Sequence, residues 1–374
     1  MSGFEKRTTL RDIAEEVGLS VTAVSQTLNN RPIRLSEENK RRIREVAEKR
    51  NYRASSVARS LALRQTNTLG LLVPDIENPF FASLAKSIEE TARKTGRVLI
   101  IVNSNDDPTA DCNLINMLVE REVDGLLVIP SNSSNRGSQM TVPSDLFDLL
   151  SGIHKPFVLV DRISGPLICD RVAFDDERGG EIGTDALVER GHRRIACVAN
   201  LATVNGHQRA RGYRNSLNRH GIEFDEGLVI DSDYHESGGY EAATQLVELL
   251  HPKGKAEAPI TGVVSCSDMM TLGIINRFRE DGISIPRDCS VVSYDNSRAL
   301  NFSNPGITAV AQEVPSLADA ALRVLFHRMA HVDDPPVDYV LTPHLVERDS
   351  VRDIWGSGLA DPHADGSGER VSDA

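Results

Sequence analysis

The first fifty residues carry apolar positions at the spacing of short helices. Ile13, Ala14 and Val17 fall at i, i+1 and i+4, a narrow stripe along one helix face. Gly18 takes the left-handed backbone that ends such a helix at little cost, and Ser20 suits the cap of a second one. In that second helix Val24 and Leu28, with Ala23 and Thr27 beside them, are expected to turn inward. Val21, Thr22, Ser25, Gln26 and Asn29 are left facing out. A third amphipathic helix follows the cap residue Ser36, has Glu37 and Glu38 in its first turn, and buries Ile43, Val46 and Ala47. Two short helices pinched around a glycine, with a third in support, predict a helix-turn-helix whose second helix would enter a major groove; the alternative is an ordinary three-helix satellite domain with solvated polar faces.

The pattern changes from Thr68 onward. Short β-branched runs such as "TLGLLVP", "RVLIIVNS", "VDGLLVIP", "PFVLVDR", "RIACVAN", "GVVSCSD" and "CSVVSYD" alternate with amphipathic helices, among them Phe81–Thr95 and Gly238–Leu250. Nearly continuous apolar strands separated by helices predict an α/β fold of parallel sheets covered on both faces. Ten such runs exceed one comfortable sheet, so two doubly wound subdomains are expected. Ligands bind at the carboxyl ends of strands in these folds. Polar residues stand at those ends: Asp75, Asn103, Asp161, Asp268 and Asp295. Any one of them alone reads as a helix cap; several at equivalent ends point to a shared crevice.

Charge sharpens the division. Residues 1–64 hold 14 Lys+Arg against 8 Asp+Glu, a charge of +6, so the rest of the chain carries −18 of the overall −12. A basic head on an acidic body implies that only the head meets a polyanion. No apolar run approaches the roughly 20 residues that span a bilayer, and "MSGFEKRTTL" lacks the apolar segment of a secretory signal, so a cytoplasmic location is expected. The 5 cysteines are scattered, without a C-x-x-C pair, and read as reduced, partly buried thiols. No metal site and no cofactor are expected.

The motifs "TLRDIAEEVGLSVTAVSQTLN", "SEENKRRIREVAEKRNY" and "VARSLA", followed by "LGLLVPDIENPFFASLAKSIEE", "ERGHRRIA", "RARGY", "SDMMTLGII" and "SVVSYDN", resemble the LacI/GalR family of transcriptional regulators over residues 8–352. That resemblance implies an N-terminal helix-turn-helix domain (1–53) and a hinge helix with its linker (54–67). It further implies a periplasmic-binding-protein-like core (68–352) for effector binding and dimerisation. The core's N-subdomain is expected at about 68–161 and 296–325, and its C-subdomain at about 162–295 and 326–352, with a disordered tail at 353–374. It implies a homodimer on a near-palindromic DNA operator. Val21, Thr22 and Gln26 would then reach base edges, Ser25, Asn29 and Arg59 phosphates, and Leu61 the minor groove as an apolar wedge. Gln26 stands where the family commonly has Arg, which favours adenine over guanine. Ala54-Ser55 replaces the family's usual Pro-Asn, and the loop "NNRPIRLS" is one residue longer than usual.

In the core the resemblance implies that Arg209, Asp161 and Asp295 hydrogen-bond an effector. Phe80 or Phe81 would cover its ring, with Asp75, Asn103, Ser267 and Asp268 at hand. A rigid donor fork, carboxylate acceptors and an aromatic face suit a polyol, so a sugar is the expected effector and a nucleobase the alternative. No Walker A pattern, G-x-S-x-G elbow, H-E-x-x-H or dinucleotide fingerprint occurs, so the chain is not expected to be an enzyme. An exported solute-binding protein would share the body but have no use for residues 1–64. A DNA-binding regulator, acting as a repressor, is the reading that uses both halves. His192 is expected to be structural.

Overall fold

The computed structural model describes residues 8–52, 65–131, 144–162, 167–252 and 258–355, and the chain divides into two compact units between Thr66 and Asn67. The expected hinge helix with Arg59 and Leu61, most of the Ser/Asn-rich loop after Pro130 and residues 356–374 lie outside the described residues.

The first unit holds α1 (Leu10–Val17), α2 (Val21–Leu28) and α3 (Glu37–Lys49). Each starts at a hydroxyl cap. The Thr9 hydroxyl accepts from the Asp12 N–H at 3.3 Å while the Asp12 carboxylate accepts from the Thr9 N–H at 2.7 Å. Ser20 and Ser36 accept from the N–H groups of Ala23 and Asn39. Gly18 closes α1 at φ 71°, a conformation that costs most L-residues energy. Ile13, Val24 and Ile43 are fully buried between the three helices, with Val46 and Leu28 packed partly against them.

The second unit begins with β1 (Thr68–Val73), α4 (Pro79–Lys94), β2 (Val98–Asn103), α5 (Pro108–Glu120), β3 (Gly125–Val128), α6 (Ser144–Gly152), β4 (Phe157–Val160) and β5 (Asp170–Phe174). It continues with α7 (Asp176–Val188), β6 (Ile195–Ala199), α8 (Val204–Arg219), β7 (Val229–Asp231), α9 (Glu236–Leu250), β8 (Gly262–Ser265), α10 (Asp268–Glu280) and β9 (Ser290–Asp295). The last elements are α11 (Arg298–Asn301), β10 (Thr308–Ala311), α12 (Val314–Ala330), β11 (Asp338–Leu341) and β12 (His344–Val346). Two sheets form, in the orders β11-β5-β4-β3-β1-β2 and β12-β10-β9-β8-β6-β7. All described pairings are parallel except that of β12 with β10.

The chain passes between the sheets three times, at places other than those expected. β5 pairs with β4 through Val158↔Asp170 and so belongs to the first sheet, which moves the first crossing from 161/162 to the turn before Asp176. β10 stays with β9 in the second sheet, and α12 buries Leu317, Ala321 and Leu325 against the first, so the second crossing follows Ala311 rather than Asp295. β11 then pairs with β5, placing the third crossing after Leu341 rather than at 325/326. The strands of both sheets share one apolar composition, and nothing local to a strand states which sheet it joins. The expected tail boundary also shifts. The Ile354 N–H donates to the Arg190 carbonyl, and the Trp355 indole N–H donates to the Glu189 carbonyl at 2.8 Å.

In the second subdomain α7 and α8 meet backbone to backbone. A Cβ at Gly180 would lie 2.0 Å from the Arg209 carbonyl oxygen, and one at Gly212 would lie 2.0 Å from that of Glu177. No side chain can yield at either contact, so a methyl group must push the helices apart. Overpacking of this kind costs about 1–3 kcal/mol. Gly212→Ala should therefore lower the unfolding free energy by about that amount in denaturant titration; a variant as stable as wild type would show that α7 and α8 are not packed this closely.

Candidate functional site

In the second unit, a narrow crevice lies between the carboxyl ends of the two sheets. The first subdomain contributes Asn78, Phe80, Phe81, Asp161 and Arg162; the second contributes Asn205, Arg209, Tyr234, Ser267 and Asp295. Each is delivered by a feature of local chemistry. The Asn78 side chain accepts from the Phe80 N–H at 3.0 Å and starts α4, which sets Phe80 and Phe81 edge to face with centroids 5.3 Å apart. Asp161 leaves β4 at φ 63° and Asp295 ends β9 at φ 76°. Asp tolerates this left-handed region better than most residues, and it re-aims both carboxylates off their strands. Ser267 caps α10. Thr203 caps α8 and hydrogen-bonds the Tyr234 hydroxyl at 2.9 Å.

Arg209 is the centre of the arrangement. Its Nε donates to Asp176 Oδ1 at 2.7 Å, its Nη1 donates to the Cys266 carbonyl at 2.7 Å, and its plane lies 3.8 Å from the Tyr294 ring centroid. Asp295 Oδ1 stands 4.0 Å from Nη1. Asp176 also accepts from Asn205 Nδ2 at 2.7 Å and from the Tyr294 hydroxyl at 3.3 Å. Three donors around one carboxylate are the surroundings of an ionised group. Across the crevice Arg162 Nη1 reaches Asp106 at 2.5 Å and the Pro130 carbonyl at 3.1 Å, and its guanidinium lies over the Phe81 ring.

The carboxylates outnumber the cations, and their acidities show it. Asp161 is pushed up to about 7, first by burial and next by the Asp176 charge, against the pull of Arg209 and Arg162. Burial likewise raises Asp295 and Asp176, with Arg209 opposing. Burial works against the charge of Arg209 too, but Asp176 and its neighbours hold that pKa well above the ordinary value.

Of the nine expected effector residues, six line this crevice: Phe80, Phe81, Asp161, Arg209, Ser267 and Asp295. Asp75, Asn103 and Asp268 do not, because local turns occupy them. Asp75 accepts from the Glu77 N–H, and Asn103 accepts from the Ile76 N–H and donates to Asn105. Asp268 accepts from the Ser293 hydroxyl at 2.6 Å and from the Ser297 N–H, bracing the chain after β9. Asn205, Tyr234, Arg162 and Asn78 were missed, as was the supporting Asp176. For Asn205 a signal was present, four residues before Arg209 on one helix face. For Tyr234 and Arg162, which sit in loops, none was. His207 is exposed and outside the lining. His192 is fully buried between Thr261 and the Arg352 carbonyl, and burial lowers its pKa to about 4.

On the first unit Val21, Thr22 and Asn29 are exposed and Ser25 and Gln26 half-buried along one side of α2. The Asn29 side chain donates to the Ser25 carbonyl at 2.8 Å. Beside the end of α2 a groove is lined by Asn30, Arg31, Arg34, Lys40 and Arg44, with no carboxylate in its lining. Among the described residues no group of three or more His, Cys, Asp or Glu is placed to hold a metal, and no helix is long and apolar enough to cross a membrane.

Residues 9–55 match the family model for bacterial regulatory proteins of the lacI family, and residues 184–351 match that for a periplasmic binding protein-like domain. The HTH-type transcriptional repressor PurR of Mannheimia succiniciproducens is 32% identical over 350 residues, covering 92% of this chain and 99% of that relative. A structure of the transcriptional regulator CelR in complex with cellobiose is 26% identical, with a TM-score of 0.66, over 92% of this chain and 100% of that one. The lac repressor dimer bound to operator and the anti-inducer ONPF shares the fold, at a TM-score of 0.79 and 22% identity over 93% of this chain and 100% of that one. With its helix-turn-helix, its two-sheet core and a relative similar along nearly the whole chain, this protein belongs to the lacI family of bacterial regulatory proteins.

Proposed function

We propose that the chain is a transcriptional repressor that binds a near-palindromic operator as a homodimer, and that a sugar in the crevice sets its operator affinity. The observation that carries the reading is the convergence of Arg209 and Asp295 from one subdomain with Asp161, Phe80 and Phe81 from the other on one narrow crevice. A guanidinium and two carboxylates pair with the alternating donors and acceptors of vicinal hydroxyls, and an aromatic ring covers the C–H face of a pyranose or furanose. The likeness to the cellobiose complex of CelR supports a sugar, and the greater similarity to PurR repressors keeps a nucleobase as the second reading. The outward side chains of α2 meet base edges and the basic groove beside it meets phosphates. An effector held by both subdomains shifts operator affinity only by the ratio of its affinities for the bound and free arrangements.

Two isosteric substitutions test the crevice. Asn tolerates the positive φ of both sites as well as Asp does, so Asp161→Asn and Asp295→Asn keep the backbone while removing a charged acceptor. A neutral sugar that raises the melting temperature of wild type should lose roughly tenfold to a hundredfold in affinity for each variant, the worth of about 1.5–3 kcal/mol for a hydrogen bond to a charged group. Operator affinity without sugar should stay unchanged in gel shifts. Undiminished sugar binding by both variants would remove the crevice as the effector site; protection by nucleobases instead of sugars would replace the ligand class.

The raised acidity of Asp161 has a consequence for the protein without effector. A carboxyl group whose folded pKa stands near 7, against 3.9 when unfolded, favours folding while protonated. That contribution is complete below about pH 4 and is lost as the pH rises through about 7. Chemical denaturation at pH 5 and pH 8 should show wild type losing more stability across the interval than Asp161→Asn does. An equal loss in both proteins would contradict the burial of an ionisable carboxyl at this position.

A further inference from the structure

Two cations face the crevice, and each has its own carboxylate behind it. Arg209 is held by Asp176 at 2.7 Å, and that carboxylate is itself fixed by Asn205 and Tyr294. Arg162 is held by Asp106 at 2.5 Å. The guanidinium groups keep N–H donors for a ligand, but their charge is already balanced. Asp161 and Asp295 are a different case. Both line the open space, and Asp295 also accepts from the Asp268 backbone and stands 4.0 Å from Arg209 Nη1. Among the described residues, four carboxylates therefore stand against two guanidinium groups, and two of the four, Asp161 and Asp295, line the open space.

Resting on the reading of the crevice as the effector site, we infer that the effector bears no phosphate or carboxylate and is recognised through O–H or N–H donors, and that Asp176 and Asp106 impose this selection by neutralising Arg209 and Arg162 in advance. Among the described residues, an anionic group entering the crevice meets the Asp295 carboxylate, the part-protonated Asp161 carboxyl and no unbalanced cation, and burial weakens the screening by water. A hydroxyl or amine donor meets carboxyl oxygens that can still accept from it. The species sensed is thus a sugar before a kinase phosphorylates it, or one released by hydrolysis without a phosphate.

The test measures anion binding by isothermal titration of the full chain, comparing wild type with Asp176→Asn and Asp106→Asn. Inorganic phosphate is one probe; ribose with ribose 5-phosphate and glucose with glucose 6-phosphate are the others. Each substitution releases one guanidinium charge, so the variants should bind phosphate at least tenfold more tightly than wild type. The basic first unit is common to all three proteins and cancels in the comparison. Asp176→Asn is at risk of not folding; Asp106, a loop residue whose side chain is 38% exposed, carries the same reading if it does not. Identical phosphate isotherms for wild type and the folded variants would overturn the inference, as would wild type binding a sugar phosphate as tightly as a neutral sugar that it does bind. The second outcome leaves the sugar reading intact. A gain of phosphate binding in the variants while no neutral sugar protects wild type would remove the sugar reading and sustain the charge selection.

Discussion

The buried pairing of Arg209 with Asp176 organises the second unit. A guanidinium stripped of water is tolerable only against an ionised partner of good geometry with its remaining donors engaged. Here Asp176, the Cys266 carbonyl and the Tyr294 ring supply those contacts. The partners come from different elements: Asp176 opens α7 just after the first crossing between sheets, Arg209 rides on α8, Cys266 follows β8 and Tyr294 is in β9. One side chain therefore ties together two helices and two strands at the mouth of the crevice. The glycine contacts between α7 and α8 are its precondition, since they bring Asp176 within reach of Arg209. Removing only one partner of such a pair leaves a bare buried charge, at about 3–5 kcal/mol.

Much of this was legible in the chain. The hydroxyl caps, the Gly18 stop and the stripe through Ile13 and Val17 specify the first unit through contacts a few residues apart, and these periodicities survive into the folded helices. The apolar strand runs were equally plain. The positions of the crossings were not, because they depend on which sheet a strand joins. β5 and β10 resemble their neighbours in composition, and β11 and β12 are short and partly exposed, so they went unseen.

The crevice divides in the same way. Asp161, Arg209 and Asp295 were found because strand-end acids and a family motif marked them. Asp268 carries the same mark yet braces the chain after β9, since Ser293 and Ser297 reach it first. Asp176 stands beside Asp175 in the chain, and nothing in the sequence separates the two. Its neighbour Asp175 takes the capping role, accepting from the Arg178 N–H, and so leaves Asp176 to turn inward. Two adjacent aspartates thus do unrelated work, and only the packing of α7 on α8 tells them apart.

If the crevice is the effector site we propose, the affinity of the acidic body for its ligand and its influence on the basic head are two sides of one equilibrium. Thermodynamic linkage requires that the factor by which ligand changes operator affinity equal the factor by which operator changes ligand affinity. The direct measurement is the affinity of the full chain for a neutral sugar that stabilises it, taken with and without saturating operator duplex. A difference of about fivefold or more is expected, matched by the change in operator affinity that the same sugar produces in gel shifts. Equal sugar affinities in the presence and absence of operator would contradict it, for the crevice would then have no hold on DNA binding.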